Sequence, residues 1–340
     1  MHLRDFWYVL AESAEVGGGR VLARSVLGER LAMFRSADGG VAVLPDRCLH
    51  RNAPLSLGCV QNDELVCPYH GWHYNTSGRV TNIPSQAPAT DHGHRLSPFD
   101  VCELDGYVYL RLTRDGSDDI TPWRMHHYGE RGWRHIRLCN RFANTVTNCV
   151  ENFIDVPHTA FVHTGIFRSP KGERIGATVT RADGAVHVSY HNERANLGTW
   201  RWFLNPRGAE IRHTDSFLLP NVTCVTYEIG RRSFIITSQS VPIGADDGGD
   251  TLVYTDITYN FGLFNDLARP FVRWYSQRVI DQDVVILAAQ MENIRCYGAD
   301  FRDTQADIIH RCVESLRQAI AQGEDPCALP PLSREIEFYV

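Results

Sequence analysis

Along the first third of the chain, apolar residues come in short bursts. Val21–Val26, Leu31–Arg35 and Val41–Leu44 are apolar runs of strand length separated by glycine-rich turns. VCELDGYVYLRL, residues 101–112, folds back around Asp105-Gly106, a dipeptide suited to the two-residue hairpin turn. Leu65–Cys67 and Trp72–Tyr74 read as further short strands around a loop, and Asn75–Gly78 as a turn. The polar stretch RDGSDD then marks a boundary, so the pattern predicts an all-β domain over 1–115 and a second domain over 116–340. In the second, Ala177–His191 reads as a hairpin turning at Asp183-Gly184. Val222–Ile229 and Ser233–Val241 pair across Gly230, and Thr251–Asn260 adds a strand. After that the period changes. Phe271, Trp274, Tyr275 and Val279 recur at helical spacing from about Pro270, a residue suited to a first helical turn, and 304–322 reads as a last amphipathic helix. The expected fold class is α+β: a β-rich N-terminal domain, then an antiparallel sheet covered by helices.

Composition narrows the function classes. A 340-residue chain with 43% hydrophobic residues can bury one large or two ordinary cores. A formal net charge of -6 leaves no basic footprint for nucleic acid. The longest apolar runs, such as Val284–Ala289, fall far short of a membrane span. Ten cysteines in a chain this long do not resemble a secreted disulfide scaffold, and MHLRDFWYVL lacks the apolar core of a signal peptide, so the expected location is a reducing cytoplasm. Cys59, Cys102, Cys139, Cys149, Cys224, Cys296, Cys312 and Cys327 have no partner at ligand spacing and are expected as small buried hydrophobes.

The remaining two cysteines carry chemistry. Cys48 and His50 bracket Leu49; after sixteen intervening residues, Cys67 and His70 bracket Pro68-Tyr69. Two thiolates and two imidazoles in two short loops suit zinc. They also suit a Rieske [2Fe–2S] centre, with two Cys on one iron and two His on the other. Zinc fingers put their His pair on a helix, whereas here the flanks read as strands. CLHRNAPLSLG and CPYHGWHY resemble the two cluster-binding loops of Rieske proteins. From Trp7-Tyr8 onward the whole chain resembles the catalytic subunit of the Rieske non-haem iron oxygenases, most of all the short members that work without a second subunit type.

That resemblance gives the rest of the chain a purpose. NCVENFIDVPHTAFVHTGIF, residues 148–167, is similar to the family's Asn…Asp-x-x-His-x₄-His pattern. Carried over by position, it makes Asn152 part of the motif, His158 and His163 iron ligands, and Asp155 the acidic residue beside them. Pro157 disfavours helix at Val156, and two residues five apart do not share a helix face, so a break after the helix is expected. Two His and one carboxylate form a facial triad on Fe(II) that leaves positions open for O₂. The third ligand is expected in VIDQDVVILAAQ. Setting Gln290 on the family's Glu-x-Gln glutamine selects Asp283, with Asp281 as second choice, although Ala288 stands where the family often has glutamate. His126, His127, His135, His191 and His213 carry no specific reading.

The resemblance implies a terminal oxygenase component holding a Rieske cluster and a mononuclear Fe(II), with O₂ as cosubstrate. The short chain favours hydroxylation or oxidative demethylation of a small aromatic or cyclic substrate over cis-dihydroxylation. A non-catalytic Rieske electron carrier and a zinc-stabilised binding protein are the readings from other classes. No Gly-rich nucleotide fingerprint stands out, so electrons are expected from NAD(P)H through a separate reductase or ferredoxin. The family also implies a helix-grip catalytic domain and a head-to-tail homotrimer. In that ring the exposed cluster ligand His70 would meet Asp155 of the next subunit.

Overall fold

The structure is a computed structural model; it describes residues 1–87, 92–114, 119–163, 174–191, 211–245 and 248–339. It divides into two compact units, one of Arg4–Arg124 with Ile243–Asp246, the other of Met1–Leu3, Met125–Pro242 and Asp247–Val340.

In the first unit, β1 (Trp7–Glu12) pairs with the hairpin β9–β10 (Asp100–Leu104, Tyr107–Arg111), and β2 (Leu22–Val26), β3 (Glu29–Arg35) and β4 (Val41–Pro45) form a second antiparallel sheet. Four very short strands, β5 (Cys59–Gln61), β6 (Glu64–Val66), β7 (His73–Tyr74) and β8 (Val80–Asn82), form a third. Asp105 has φ 51°, the left-handed conformation that its Asp-Gly turn requires. Phe34, Leu44, Leu55, Leu65, Tyr74, Val80 and Leu96 bury together beneath the loops that carry the paired Cys and His. The segment after β10 stays with this unit, because Trp7 Nε1 donates to Ile120 O at 2.8 Å and Tyr109 OH to Trp123 O at 2.9 Å.

The second unit is built on an eight-stranded antiparallel sheet. Its strands are β11 (Arg134–Phe142), β12 (Arg174–Ala182), β13 (Ala185–His191), β14 (Ile211–Leu218), β15 (Val222–Ile229), β16 (Arg232–Pro242), β17 (Thr251–Asn260) and β18 (Leu332–Tyr339). Their order is β11-β17-β16-β15-β14-β13-β12-β18. Among the described residues, three helices supply the rest of the core: α1 (Val146–Ile154), α2 (Asn265–Tyr297) and α3 (Ile308–Ala321). Val146 and Val150 of α1 and Val313 and Leu316 of α3 bury against Val179, Val188 and Phe217 of the sheet. Val272, Ile280 and Leu287 of α2 bury against Ile136, Leu138, Ile257 and Tyr259. Each such side chain contributes about 1.5–3 kcal/mol of transfer free energy, so this packing fixes where the helices lie.

Two expectations need correction. Helix α2 starts at Asn265, not near Pro270, which sits exposed inside it. The Asn265 side chain accepts from Phe261 N–H at 2.6 Å and donates to Gly132 O at 2.7 Å, and this anchors the helix start. Pro270 forfeits the bond to Asp266 O, a local cost that the rest of the helix outweighs. Of the eight cysteines outside the paired Cys/His loops, only Cys149, Cys224 and Cys312 are buried; Cys59, Cys139, Cys296 and Cys327 are exposed and Cys102 is half-buried. Cys59 and Cys139 lie on strands at outward-facing positions, where strand alternation puts the side chain in solvent.

Candidate metal centres

The first set of donors lies at the tip of the first unit. Asp46, almost fully buried, accepts from Ser56 N–H at 2.7 Å and Ser56 Oγ at 2.8 Å, which ties down both ends of the first loop. Within the loop, Cys48 N–H donates to Ala53 O and Asn52 N–H to Cys48 O. The second loop closes with Cys67 N–H on Trp72 O and Gly71 N–H on Cys67 O. Gly71 has φ 70°, and a Cβ there would stand 3.1 Å from Pro84 Cγ, so the turn needs glycine.

The two loops present unlike halves. Cys48 and Cys67 are buried, His50 is half-buried and His70 is exposed. The imidazoles of His50 and His70 meet edge to face with centroids 4.4 Å apart, and His50 lies flat on Trp72 at 5.1 Å. His50 Nδ1 is buried with no hydrogen-bond partner. Burial, with help from His70 and Arg51, holds the His50 imidazole below its ordinary pKa, which favours the neutral form that binds metals. Burial pushes the Cys67 thiol up, and the Cys48 sulfur adds to this, while the peptide N–H groups of Tyr69 and His70 pull it back. The Tyr74 hydroxyl accepts from Leu49 N–H at 2.9 Å and lies 3.2 Å from Cys48 Sγ, so its own hydrogen is available to the sulfur. Burial and the nearby Cys48 and Cys67 sulfurs hold the Tyr74 phenol far above its ordinary pKa. Two neighbouring sulfurs without a cation resist ionising together; an iron pair bound to them removes that conflict. The donor chemistry and the unpartnered His50 Nδ1 therefore fit a [2Fe–2S] cluster.

The second set lies where α1 ends. Helix α1 is capped by Thr145, which accepts from Asn148 N–H, and it stops at Ile154; Asp155 is extended, and a tight 3₁₀ turn runs over Pro157–Ala160. The break brings His158 and His163 together with ring centroids 5.2 Å apart. Residues 164–167 of the motif lie outside the described residues. Asp283 comes from the buried stripe of α2, Ala268, Val272, Ser276, Ile280, Asp283, Leu287 and Met291. A carboxylate in such a stripe is costly unless a cation or donor meets it. Asp283 Oδ1 lies 3.2 Å from His163 Nε2 and 3.7 Å from His158 Nε2. One ligand atom from each of the three residues falls within 4.8 Å of the others, the one such group among the described residues. Asp283 Oδ1 is buried without a hydrogen bond, as expected of an atom awaiting a cation. Two imidazoles and a carboxylate fit a facial Fe(II) triad. Asp281 is exposed and accepts from Gln277 Nε2 at 2.8 Å, one turn away on the helix surface.

The motif's Asp155 and two residues outside it, Gln282 and Asn144, support these side chains. Asp155 Oδ2 accepts the His158 backbone N–H at 3.0 Å and stands 3.3 Å from His158 Nδ1. The far nitrogen of His163 belongs to Gln282, whose Oε1 lies 2.9 Å from Nδ1. Fully buried Asn144 donates to Leu287 O at 2.8 Å and to Gln290 Oε1 at 2.9 Å, clamping the start of α1 to α2 one turn beyond Asp283. Asn152 Oδ1 is buried and without a hydrogen bond. Spacing along α2 marks Asp283 as the inward carboxylate, since it is three residues from Ile280 and four from Leu287. Gln282 has no such mark, because only the fold of the 155–163 segment brings a nitrogen to it. The other histidines are engaged elsewhere: His127 on Trp133, His135 with Thr258, His191 with Thr178, His213 with Asp215 and His126 beside Cys224.

The donor sets fit an iron–sulfur cluster in the first unit and a single metal ion in the second. Residues 6–100 match the Rieske [2Fe–2S] domain, and residues 144–311 match the vanillate O-demethylase oxygenase C-terminal domain. The chain belongs to the two-domain Rieske oxygenase family. It is 30% identical to the toluene-4-sulfonate monooxygenase system iron–sulfur subunit TsaM1 of Comamonas testosteroni, over 60% of this chain and 57% of that protein. It is 33% identical to methylxanthine N1-demethylase NdmA of Pseudomonas putida over 50% of each chain, and 30% identical to the dicamba O-demethylase oxygenase component of Stenotrophomonas maltophilia over 55% of each. The matched stretch thus spans little more than half the length of these relatives. The crystal structure of dicamba monooxygenase bound to dicamba superposes with a TM-score of 0.80 at 20% identity, covering 94% of this chain and 99% of that one, a likeness of fold. Among the described residues, no helix is long and apolar enough to cross a membrane.

Proposed function

We propose that this chain is the terminal oxygenase component of a multicomponent system that hydroxylates, or oxidatively demethylates, a small aromatic or cyclic compound. Cys48, His50, Cys67 and His70 hold a [2Fe–2S] cluster; His158, His163 and Asp283 hold a mononuclear Fe(II). When bound, the cluster supplies electrons one at a time and the mononuclear iron supplies activation of O₂. The chain's own groups prepare both places. Trp72 fixes the plane of His50, Tyr74 and the peptide N–H groups of Tyr69 and His70 surround the sulfurs, and Asp283 offsets part of the iron's charge from a buried position. Asp155 orients the His158 backbone through its N–H. If a methyl group on oxygen or nitrogen is hydroxylated, the product carbon collapses to formaldehyde and frees the substrate's heteroatom.

The observation that carries this reading is the coexistence of the Cys/His loop pair with a buried two-His, one-carboxylate group in a single chain. Electrons come from NAD(P)H through a separate reductase or ferredoxin. The assembly is a head-to-tail homotrimer, supported by the accessibility of both partners: His70 is exposed and the Asp155 side chain is 34% exposed. Ten cysteines that form no disulfide suit a reducing cytoplasm. The test is O₂ uptake by the iron-loaded protein with a reductase and a panel of methoxylated, N-methylated and methyl-substituted rings. Substrate-dependent uptake with a hydroxylated product or formaldehyde supports the reading. A cis-diol product would make it a dioxygenase, and no uptake with any reductant would overturn it.

A further inference from the structure

We propose that Gln282 is the positioning residue for His163: it fixes which nitrogen of that imidazole faces the metal and keeps the ring a weaker donor than His158. This rests on the reading of His158, His163 and Asp283 as iron ligands. Helix α2 meets both nitrogens of one ring with adjacent residues. Asp283 Oδ1 is 3.2 Å from His163 Nε2, and Gln282 Oε1 is 2.9 Å from Nδ1. Adjacent helical side chains point about 100° apart, so the imidazole must sit at the helix surface between them; its side chain is only 2% exposed.

The chemistry of the amide decides the tautomer. Its oxygen only accepts, so Nδ1 carries the hydrogen and the Nε2 lone pair is left toward Asp283. With the amide reversed, its NH₂ would donate to Nδ1, Nε2 would carry the hydrogen, and the ring could not ligate from that side. The two imidazoles thus differ in their outer contacts. His158 Nδ1 stands 3.3 Å from the Asp155 carboxylate, whereas His163 Nδ1 meets a neutral amide. A carboxylate partner makes an imidazole more basic than a neutral one does. With Gln282 neutral, Asp283 remains the one carboxylate beside His163, and the bound iron keeps more of its positive charge.

The test titrates Co(II), a spectroscopic stand-in for Fe(II), into cluster-loaded protein free of mononuclear metal. The cluster's visible spectrum serves as the folding control. Gln282→Leu should weaken Co(II) binding by about 10- to 100-fold, the usual cost of losing a ligand's outer hydrogen bond. Gln282→Glu should restore or exceed wild-type affinity and shift the Co(II) d–d bands, since the carboxylate accepts from Nδ1–H and adds charge. A merely space-filling role would leave Gln282→Leu, which fills the same volume with apolar atoms, at wild-type affinity. Wild-type affinity in Gln282→Leu, or failure of Gln282→Glu to restore it, overturns the proposal. His163→Ala separates the two levels: if it binds Co(II) as the wild type does, His163 is no ligand, and the reading beneath the proposal falls too.

Discussion

Replacing Tyr74 by phenylalanine removes one hydroxyl from beneath the cluster loops and leaves the ring. That hydroxyl is the acceptor of Leu49 N–H at 2.9 Å and stands 3.2 Å from Cys48 Sγ. Its hydrogen stabilises negative charge on the sulfur, and reduction of a bound cluster adds one negative charge. The bond is therefore stronger in the reduced state. A difference of about 1 kcal/mol, the middle of the range for a protein hydrogen bond, corresponds to about 40 mV for one electron, since about 59 mV is a tenfold change and about 1.4 kcal/mol. The expected result for Tyr74→Phe is a potential lowered by about 20–60 mV, with the visible spectrum retained. Because the phenol is held far above its ordinary pKa, the shift should not vary between about pH 6 and pH 9. Losing the acceptor of the Leu49 N–H should also cost about 0.5–1.5 kcal/mol of stability. Spectroelectrochemical titration followed by circular dichroism reads the potential. An unchanged or raised potential in a cluster-loaded variant would refute the reasoning, because it would mean that the hydroxyl does not donate to Cys48.

Other substitutions probe the second site and the frame around it. Asp283→Leu should abolish mononuclear metal binding and destabilise the metal-free protein, because it removes one partner of the buried contact with His163 Nε2 at 3.2 Å. Asp281→Ala should leave metal content unchanged; chemical denaturation and iron analysis of both variants check this pair. Asp155→Asn should keep both metals, since an amide oxygen can still accept the His158 N–H, but slow electron delivery to substrate turnover by at least about tenfold; single-turnover kinetics on the reduced variant measures it. His310 Nδ1 is 2.8 Å from Glu151 Oε2, joining α3 to α1. Burial lowers its pKa, but Glu151, then Glu314 and Asp303, outweigh this and raise it overall. Its stabilisation is therefore fully present below the unfolded value of about 6.5 and fades as pH rises through the higher folded value. Urea unfolding of wild type and His310→Gln across that window should show the wild-type advantage shrinking upward in pH, and a growing advantage would contradict it.

Much of this was legible from local pattern. The Asp-Gly hairpins, the strand over Thr251–Asn260 and the paired Cys/His loops are short-range signals, set by backbone chemistry within a few residues. The break after α1 follows from Pro157 and the five-residue His spacing. Other features depend on distant partners. β18 has only Ile336 and Phe338 facing inward, too brief an alternation to declare itself before it pairs with β12. The start of α2 is set by Asn265 reaching Gly132, and Pro270 misleads because a proline marks a first turn only when nothing upstream continues the helix. Burial of the cysteines outside the cluster loops could not be read from their type, as the exposed Cys59 and Cys139 show. Gln282 becomes visible only once His163 has folded onto α2.

The most direct test of the two-centre account is an iron and acid-labile sulfide count on anaerobically loaded wild type and His163→Ala. Wild type should hold about three irons and about two sulfides per chain, and the variant about two irons and about two sulfides with an unchanged Rieske spectrum. Zinc in place of iron with no sulfide, or a variant that retains its third iron, would contradict it.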